Sequence, residues 1–203
     1  MTALRDGYIF MTCLSVLLVS AIVWIGGALS RRAGLPTISR MMEDDPDVMP
    51  FLWIGFAVVT LMVGAIASVA TGPPVGLKLA TTLLQFLAIM TVPVASLDFA
   101  YPLHMAIASM AVGFTIVRDW VFFSRTNTKL SILHDLMVLV ILVLGLVFVV
   151  FANVVHNAEN ETYIASTEYA LMKAVAALNI FYAGDITKEL LASAGSFVQR
   201  RRG

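Results

Sequence analysis

LMVLVILVLGLVFVVFANVV, residues 136–155, is the stretch of sequence that decides the fold class of this chain. It carries no charged residue, and it is as long as the roughly 20 apolar residues that an α-helix needs to cross a bilayer. It also lacks the alternation of polar and apolar residues that is typical of a barrel strand. Because a helix satisfies its own backbone hydrogen bonds in lipid, the stretch predicts a membrane-spanning helix with much of its surface towards lipid.

The composition of the whole chain extends this prediction. The 203 residues are 60% hydrophobic and 13% charged, whereas soluble domains are about 45–50% apolar and about 25% charged. The mean hydropathy is +0.91. A net charge of zero gives no indication of a nucleic-acid partner. Cys13 is the single cysteine, which excludes an intrachain disulfide. We therefore predict a polytopic integral membrane protein.

Five further apolar stretches approach the length of a span, and we predict an all-α bundle of six transmembrane helices in one domain, residues 1–190. A short basic tail follows at 191–203. The first stretch is longer than the 7–15 apolar residues of a signal-peptide core, so we interpret it as a retained span. The six predicted spans are 8–29, 51–70, 77–97, 103–123, 132–154 and 167–186.

Basic residues indicate the orientation of the bundle, because cytoplasmic loops carry an excess of lysine and arginine. The tail contributes most of this excess, and it places both termini in the cytosol. The fifth loop then lies on the exoplasmic side and contains the sequon Asn160-Glu161-Thr162, a candidate glycosylation site. The residues on the predicted cytosolic side are Arg5, Lys78, Arg125, Lys129, Lys188, Arg200, Arg201 and Arg202, against Arg31, Arg32 and Arg40 on the other side.

Polar residues gather at the predicted exoplasmic ends of several spans. Arginine pairs well with phosphate, and an Asp–His pair can perform acid–base chemistry, so this grouping predicts a lipid-headgroup site. Each residue alone also has a structural explanation: His104 as a helix-end histidine, Glu168 as an acid favoured by the helix dipole, and Lys173 as a snorkelling side chain. The candidate headgroup residues are Arg31, Arg32, Ser39, Asp44, Asp98, His104, Glu168 and Lys173.

No pattern in the chain assigns a reaction. There is no G-x-S-x-G nucleophile motif, and the three histidines are too widely spaced for a recognisable metal site. We therefore expect no metal and no cofactor, assign no catalytic residue, and leave open whether the chain is an enzyme. Helical spacing does align His104, Ala108, Ala111, Thr115 and Arg118 on one face of the fourth span, and Gly64 and Ser68 form a small-xxx-small pair suited to close packing.

The stretch GLPTISRMMEDDPDVMPFLWIGFAVVTL, residues 34–61, resembles the first exoplasmic loop and second span of the Frag1/DRAM/Sfk1 family, also called the CWH43 N-terminal family. That loop carries a P-x-I-S signature, here at residues 36–39, followed by acids and a proline. The segment VASLDFAYPLHMAIASMAVGF, residues 94–114, is similar to the family's histidine-bearing turn. Residues 166–190 look like the family's terminal helix, which starts with a small residue and a glutamate, here Glu168. Arg40 stands where the family usually has an acid straight after the serine, and Tyr169 where it usually has a tryptophan after that glutamate. The residues that match the family's motifs are Pro36, Ile38, Ser39, His104 and Glu168.

The resemblance implies a six-span membrane protein. Similar proteins act in glycosylphosphatidylinositol lipid remodelling, in autophagy at the lysosome and in phosphoinositide kinase regulation. It therefore implies a protein of the endomembrane system (ER, Golgi or lysosome) or plasma membrane. We expect it to bind, remodel or organise membrane lipids, GPI or phospholipid headgroups, at the exoplasmic face beneath the first loop.

Two other functions stay open at this point. The chain could be a noncatalytic accessory subunit or scaffold of a larger membrane complex, including one in the mitochondrial inner membrane, with membrane proteins as its partners. The short loops and the missing reaction motif favour this alternative. A transporter ranks third, because intramembrane charges are few and no inverted repeat is present.

Overall fold

The structure, a computed structural model, describes residues 2–29, 36–70, 74–92, 97–123, 131–154, 162–178 and 180. Within these ranges every regular element is an α-helix, which confirms the all-α class. The helices are α1 (Thr2–Leu29), α2 (Ile38–Asp44), α3 (Met49–Ala70), α4 (Val75–Thr91), α5 (Leu97–Phe123), α6 (Ser131–Val154) and α7, residues 162–178.

Each predicted span overlaps one long helix, with differences at the ends. The fourth span was expected to begin after Pro102, yet α5 begins at Leu97 and includes that proline, which cannot donate to the Asp98 carbonyl one turn back. Two helices are long and apolar enough to cross a membrane among the residues described, Ala3–Gly26 and Met49–Ala70. The six-span count and the cytosolic termini stay predictions.

Neighbouring helices run antiparallel, as contacts between their ends show. At the interface of α1 and α3, Gly26 near the end of α1 lies against Met49 at the start of α3. Between α3 and α4, the indole Nε1 of Trp53 near the start of α3 donates a hydrogen bond of 2.8 Å to the carbonyl of Ile89 near the end of α4. Residues near the starts of α5 and α7 hydrogen-bond to α2, which directly precedes α3, so the starts of α3, α5 and α7 share one end of the bundle.

The closest approach of two helices occurs where α3 crosses α4. A Cβ atom at Gly64 would lie 2.4 Å from Thr82 Cγ2 and 2.8 Å from its Oγ1, so only glycine fits there. Ser68, one turn further along α3, is buried and donates to the Gly64 carbonyl at 2.6 Å. The small residues at 64 and 68 therefore lie in a close helix contact, as their spacing suggests.

The outer face of α6 is strongly apolar. Its inward side buries Ile141 and Phe148, while large aliphatic side chains cover the rest. An exposed apolar surface of this extent is typical of contact with lipid or with another protein. The exposed side chains are Leu136, Leu139, Val140, Leu142, Val143, Leu146 and Val150.

The helix α2 is an element that the predicted spans did not include. Its seven residues begin after Thr37, whose side chain accepts a hydrogen bond of 3.3 Å from the Arg40 amide as an N-cap. Ile38, Met41 and Met42 are buried at the i, i+3, i+4 spacing of an amphipathic helix. Because Met41 packs against Gly26 of α1, α2 lies at the end of the bundle where α3 begins.

Candidate functional site

Three hydrogen bonds hold α2 and the residues just before it on the bundle. The Ser39 Oγ lies 2.6 Å from His104 Nε2 of α5, a buried pair. The amide of Ile38 donates to Glu168 Oε2 of α7 at 2.9 Å. The hydroxyl of Tyr169 donates to the carbonyl of Pro36, also buried. The predicted first loop is therefore bonded to two helices that lie far from it in the sequence.

The opposite side of this segment carries charges that face outwards. Arg40 Nη1 and Glu43 Oε2 form an ion pair of 2.8 Å within α2. Asp45 Oδ1 accepts from the Val48 amide at 3.1 Å in the turn that precedes α3. The acids after Ser39 thus have a local structural role, because they shape the connection between α2 and α3.

A cavity of about 100 Å³ lies between five helices, next to α2. It extends over two helical turns, about 10 Å, because each helix lines it with residues spaced up to seven positions apart. Its walls are mainly apolar and aromatic. The lining residues are Trp53, Phe56, Thr60, Gln85, Ile89, Val92, Ala108, Ala111, Val112, Thr115, Ile141, Phe148, Glu168, Leu171, Met172 and Val175.

The two ends of the cavity carry its few polar groups. Glu168 lies at the end nearest α2, where its carboxyl accepts from Ile38. At the opposite end Gln85 Nε2 donates to Thr115 Oγ1 at 2.7 Å, which joins α4 to α5. Thr60 also lines that end, and its hydroxyl is buried without a hydrogen-bond partner in the described structure. The cavity therefore suits an apolar body with polar groups at its ends.

Neither Ser39 nor His104 lines this cavity, but each lies close to a residue that does. Ala108 lines the cavity one turn after His104 on the same face of α5, a rise of about 6 Å. Glu168 lines it as well and contacts the residue before Ser39. The face of α5 that helical spacing predicted thus faces the interior of the bundle at 104, 108, 111 and 115.

The structure brings part of the predicted headgroup cluster together. Ser39, His104 and Glu168 meet beneath α2, along with the motif residues Pro36 and Ile38. Asp44 and Lys173 are exposed and do not line the cavity. Asp98 lies in the first turn of α5, and Arg31, Arg32 and Asn160 fall outside the described residues.

Sequence reasoning missed two contributors to the site. Tyr169 was noted as a replacement for tryptophan, but its bond to Pro36 has no signal in the sequence. Thr60 lies in an otherwise apolar span, and a lone threonine there is unremarkable until the helices are packed. The helix α2 had a readable signal, the spacing of Ile38, Met41 and Met42 after an N-capping Thr37.

No known protein family, curated protein or solved structure matches this chain at a significant level. Within the described ranges, no group of three or more His, Cys, Asp or Glu side chains is arranged to hold a metal ion.

Proposed function

We propose that this chain is a membrane protein that binds a membrane lipid, with part of an apolar chain of the lipid in the cavity that the helices α3 to α7 line. The observation that carries this proposal is the mainly apolar cavity that ends at Glu168 beneath α2. Apolar walls favour the binding of hydrocarbon, because binding removes the apolar surfaces of the ligand and of the cavity from water. A few polar groups then orient the bound molecule. The lipid's polar part would lie towards α2.

The surface of the bundle supports a membrane setting for this ligand. In the part of the chain that the structure describes, two helices are apolar and long enough to cross a bilayer. Large apolar side chains such as Phe10, Leu17 and Trp24 of α1 are exposed. A lipid would then reach the cavity from the surrounding bilayer. The predicted orientation places α2 at the exoplasmic face, where a lipid headgroup would lie.

The resemblance of residues 34–61 to the Frag1/DRAM/Sfk1 family supplies the finer part of the proposal. It favours a phospholipid or GPI headgroup and an endomembrane or plasma-membrane location. The hydrogen bonds of Ser39 and Glu168, two of the residues that match the family's motifs, give those positions a shared place at the end of the cavity.

Filling the cavity tests this function. In Ala111→Phe, a ring added to α5 would occupy the cavity that Ala111 lines, so we expect co-purified lipid to fall by at least tenfold in native mass spectra. Ala106→Phe is the matched control, because Ala106 is exposed on the same helix and should retain lipid as the wild type does.

The outcome discriminates between the functions left open by the sequence. Equal lipid retention in both variants would refute binding in this cavity. A stoichiometric protein partner on a chain that carries no lipid would instead support the accessory-subunit alternative.

A further inference from the structure

We propose that Ser39 is a nucleophile and His104 its general base, and that the pair hydrolyses an acyl ester of a lipid held in the cavity. This inference rests on the proposed function, because the lipid must first be bound. It adds a reaction that the sequence motifs did not indicate.

The geometry of the pair is that of an activated hydroxyl. Ser39 Oγ and His104 Nε2 are 2.6 Å apart, within the 2.6–3.2 Å at which a base can take the proton of a nucleophile. The residues are 7% and 3% exposed, so competing water is largely excluded. They belong to different helices, separated by 65 positions, and the fold is what brings them together.

The hydroxyls of Ser68 and Ser20 make a different kind of contact. Ser68 donates to the Gly64 carbonyl of its own helix at 2.6 Å, and Ser20 donates to the Val16 carbonyl at 2.9 Å. A backbone carbonyl cannot accept the proton of an attacking hydroxyl, whereas a neutral imidazole can. Ser39 therefore differs from Ser68 and Ser20 because its hydroxyl contacts an imidazole, that of His104.

The position of the pair matches the position of an ester in a bound lipid. The ester of a membrane lipid joins the polar headgroup to the apolar chain. With the chain in the cavity, that bond would lie at the α2 end, where Glu168 contacts Ile38, the residue before Ser39. Glu168 acts here as a positioning residue, because it fixes the backbone that carries the nucleophile.

The reaction balances with water as the co-reactant. His104, protonated on Nδ1, accepts the Ser39 proton at Nε2 while Oγ forms a bond to the ester carbonyl carbon. The bond from that carbon to the alkoxy oxygen then breaks, and the leaving alcohol takes the proton from His104. Water then attacks the carbonyl carbon of the acyl-Ser39 ester while one of its protons passes to His104. The bond from that carbon to Oγ breaks, and His104 returns the proton to Oγ, which releases a carboxylic acid and restores the Ser39 hydroxyl.

A fluorophosphonate with a long alkyl chain tests the nucleophile directly, since it forms a covalent bond to an activated serine. The full chain would be treated in phosphatidylethanolamine nanodiscs with isotope-labelled acyl chains, and the labelled peptide and released fatty acid would be measured by mass spectrometry. We expect labelling at Ser39 and release of labelled acid by the wild type, and neither in Ser39→Ala.

The base and the control complete the design. In His104→Gln, loss of general-base assistance should slow labelling by about 10²- to 10⁴-fold. Ser68→Ala changes a buried serine outside the pair and should react as the wild type does. Thermal melting and lipid retention measured on the same samples report whether each variant is folded.

Two results would overturn the inference in protein that is folded and carries lipid: no labelling of Ser39 together with no acid release, or wild-type labelling in His104→Gln. In that case the pair is a structural tether of α2 and lipid binding stands. A wild-type protein that melts cooperatively but retains no lipid would instead overturn the proposed function, and with it this inference.

Discussion

Replacing Thr60 with valine tests whether a bound lipid reaches the inner end of the cavity. The Thr60 side chain is 3% exposed, lines the cavity, and its hydroxyl has no hydrogen-bond partner in the described structure. Leaving a buried hydroxyl unsatisfied costs about 1–3 kcal/mol. Valine has nearly the same shape without that group, so Thr60→Val should stabilise the delipidated protein by about that amount.

A bound lipid should also favour valine at this position. With the polar part of the lipid towards α2, its apolar chain is what reaches the inner end of the cavity, which Thr60 lines. Contact of the chain with an added methyl group in place of a hydroxyl contributes about 0.8 kcal/mol, which raises affinity by roughly fourfold. Thr60→Val should therefore gain stability without ligand and gain affinity for the lipid.

Thr12 provides the matched control for this variant. It is 2% exposed, its hydroxyl is likewise unpartnered among the described residues, and it does not line the cavity. Thr12→Val should give the same stability gain with unchanged affinity.

The assay has two parts, carried out in detergent. Thermal unfolding of delipidated protein reports stability, and titration with a headgroup-labelled fluorescent phospholipid reports affinity. If Thr60→Val and Thr12→Val bind this phospholipid equally well, Thr60 makes no contact with it and the reasoning is refuted. If neither variant gains stability, the hydroxyls of Thr60 and Thr12 do have hydrogen-bond partners in the folded protein.

Two further predictions concern packing. Gly64→Ala places a methyl group 2.4 Å from Thr82 Cγ2, whereas the methyl group of Gly113→Ala meets nothing within 4 Å. Since both variants gain similar helix propensity, thermal unfolding should show that Gly64→Ala is the less stable of the two by about 1–3 kcal/mol. Equal stability would contradict the close helix contact. Tyr169→Phe leaves the buried Pro36 carbonyl without its donor, at a cost of about 1–3 kcal/mol. Hydrogen exchange should accelerate in α2 but not in α3, and unchanged exchange would argue against that tether.

The helices were predictable because their apolar runs are long. A run such as residues 136–155 has one stable solution in lipid, and α6 covers nearly the same residues. The ends were less predictable. Pro102 suggested a helix start, but α5 begins five residues earlier and includes it, at the loss of one backbone hydrogen bond to the Asp98 carbonyl.

Several residues of the site could be predicted from the sequence, but the hydrogen bonds between them could not. Helical spacing put His104, Ala111 and Thr115 on one face, and the structure turns that face inwards. Nothing in the sequence pairs Ser39 with His104 or Ile38 with Glu168, because such contacts depend on how helices distant in sequence dock. The cavity likewise depends on the space left between five helices rather than on any residue alone.

The docking of α2 also orders the assembly of the protein in time. Ile38 and Glu168, which share a hydrogen bond, are 130 positions apart. At synthesis rates of about 5–20 residues per second, Glu168 emerges roughly 6–26 s after Ile38. During that interval the start of α2 lacks its final support, so the first polar segment to be made is among the last to reach its place. A nascent chain truncated before α7 would hold this segment only by its contacts with α1, α3 and α5, without the bonds from Glu168 and Tyr169.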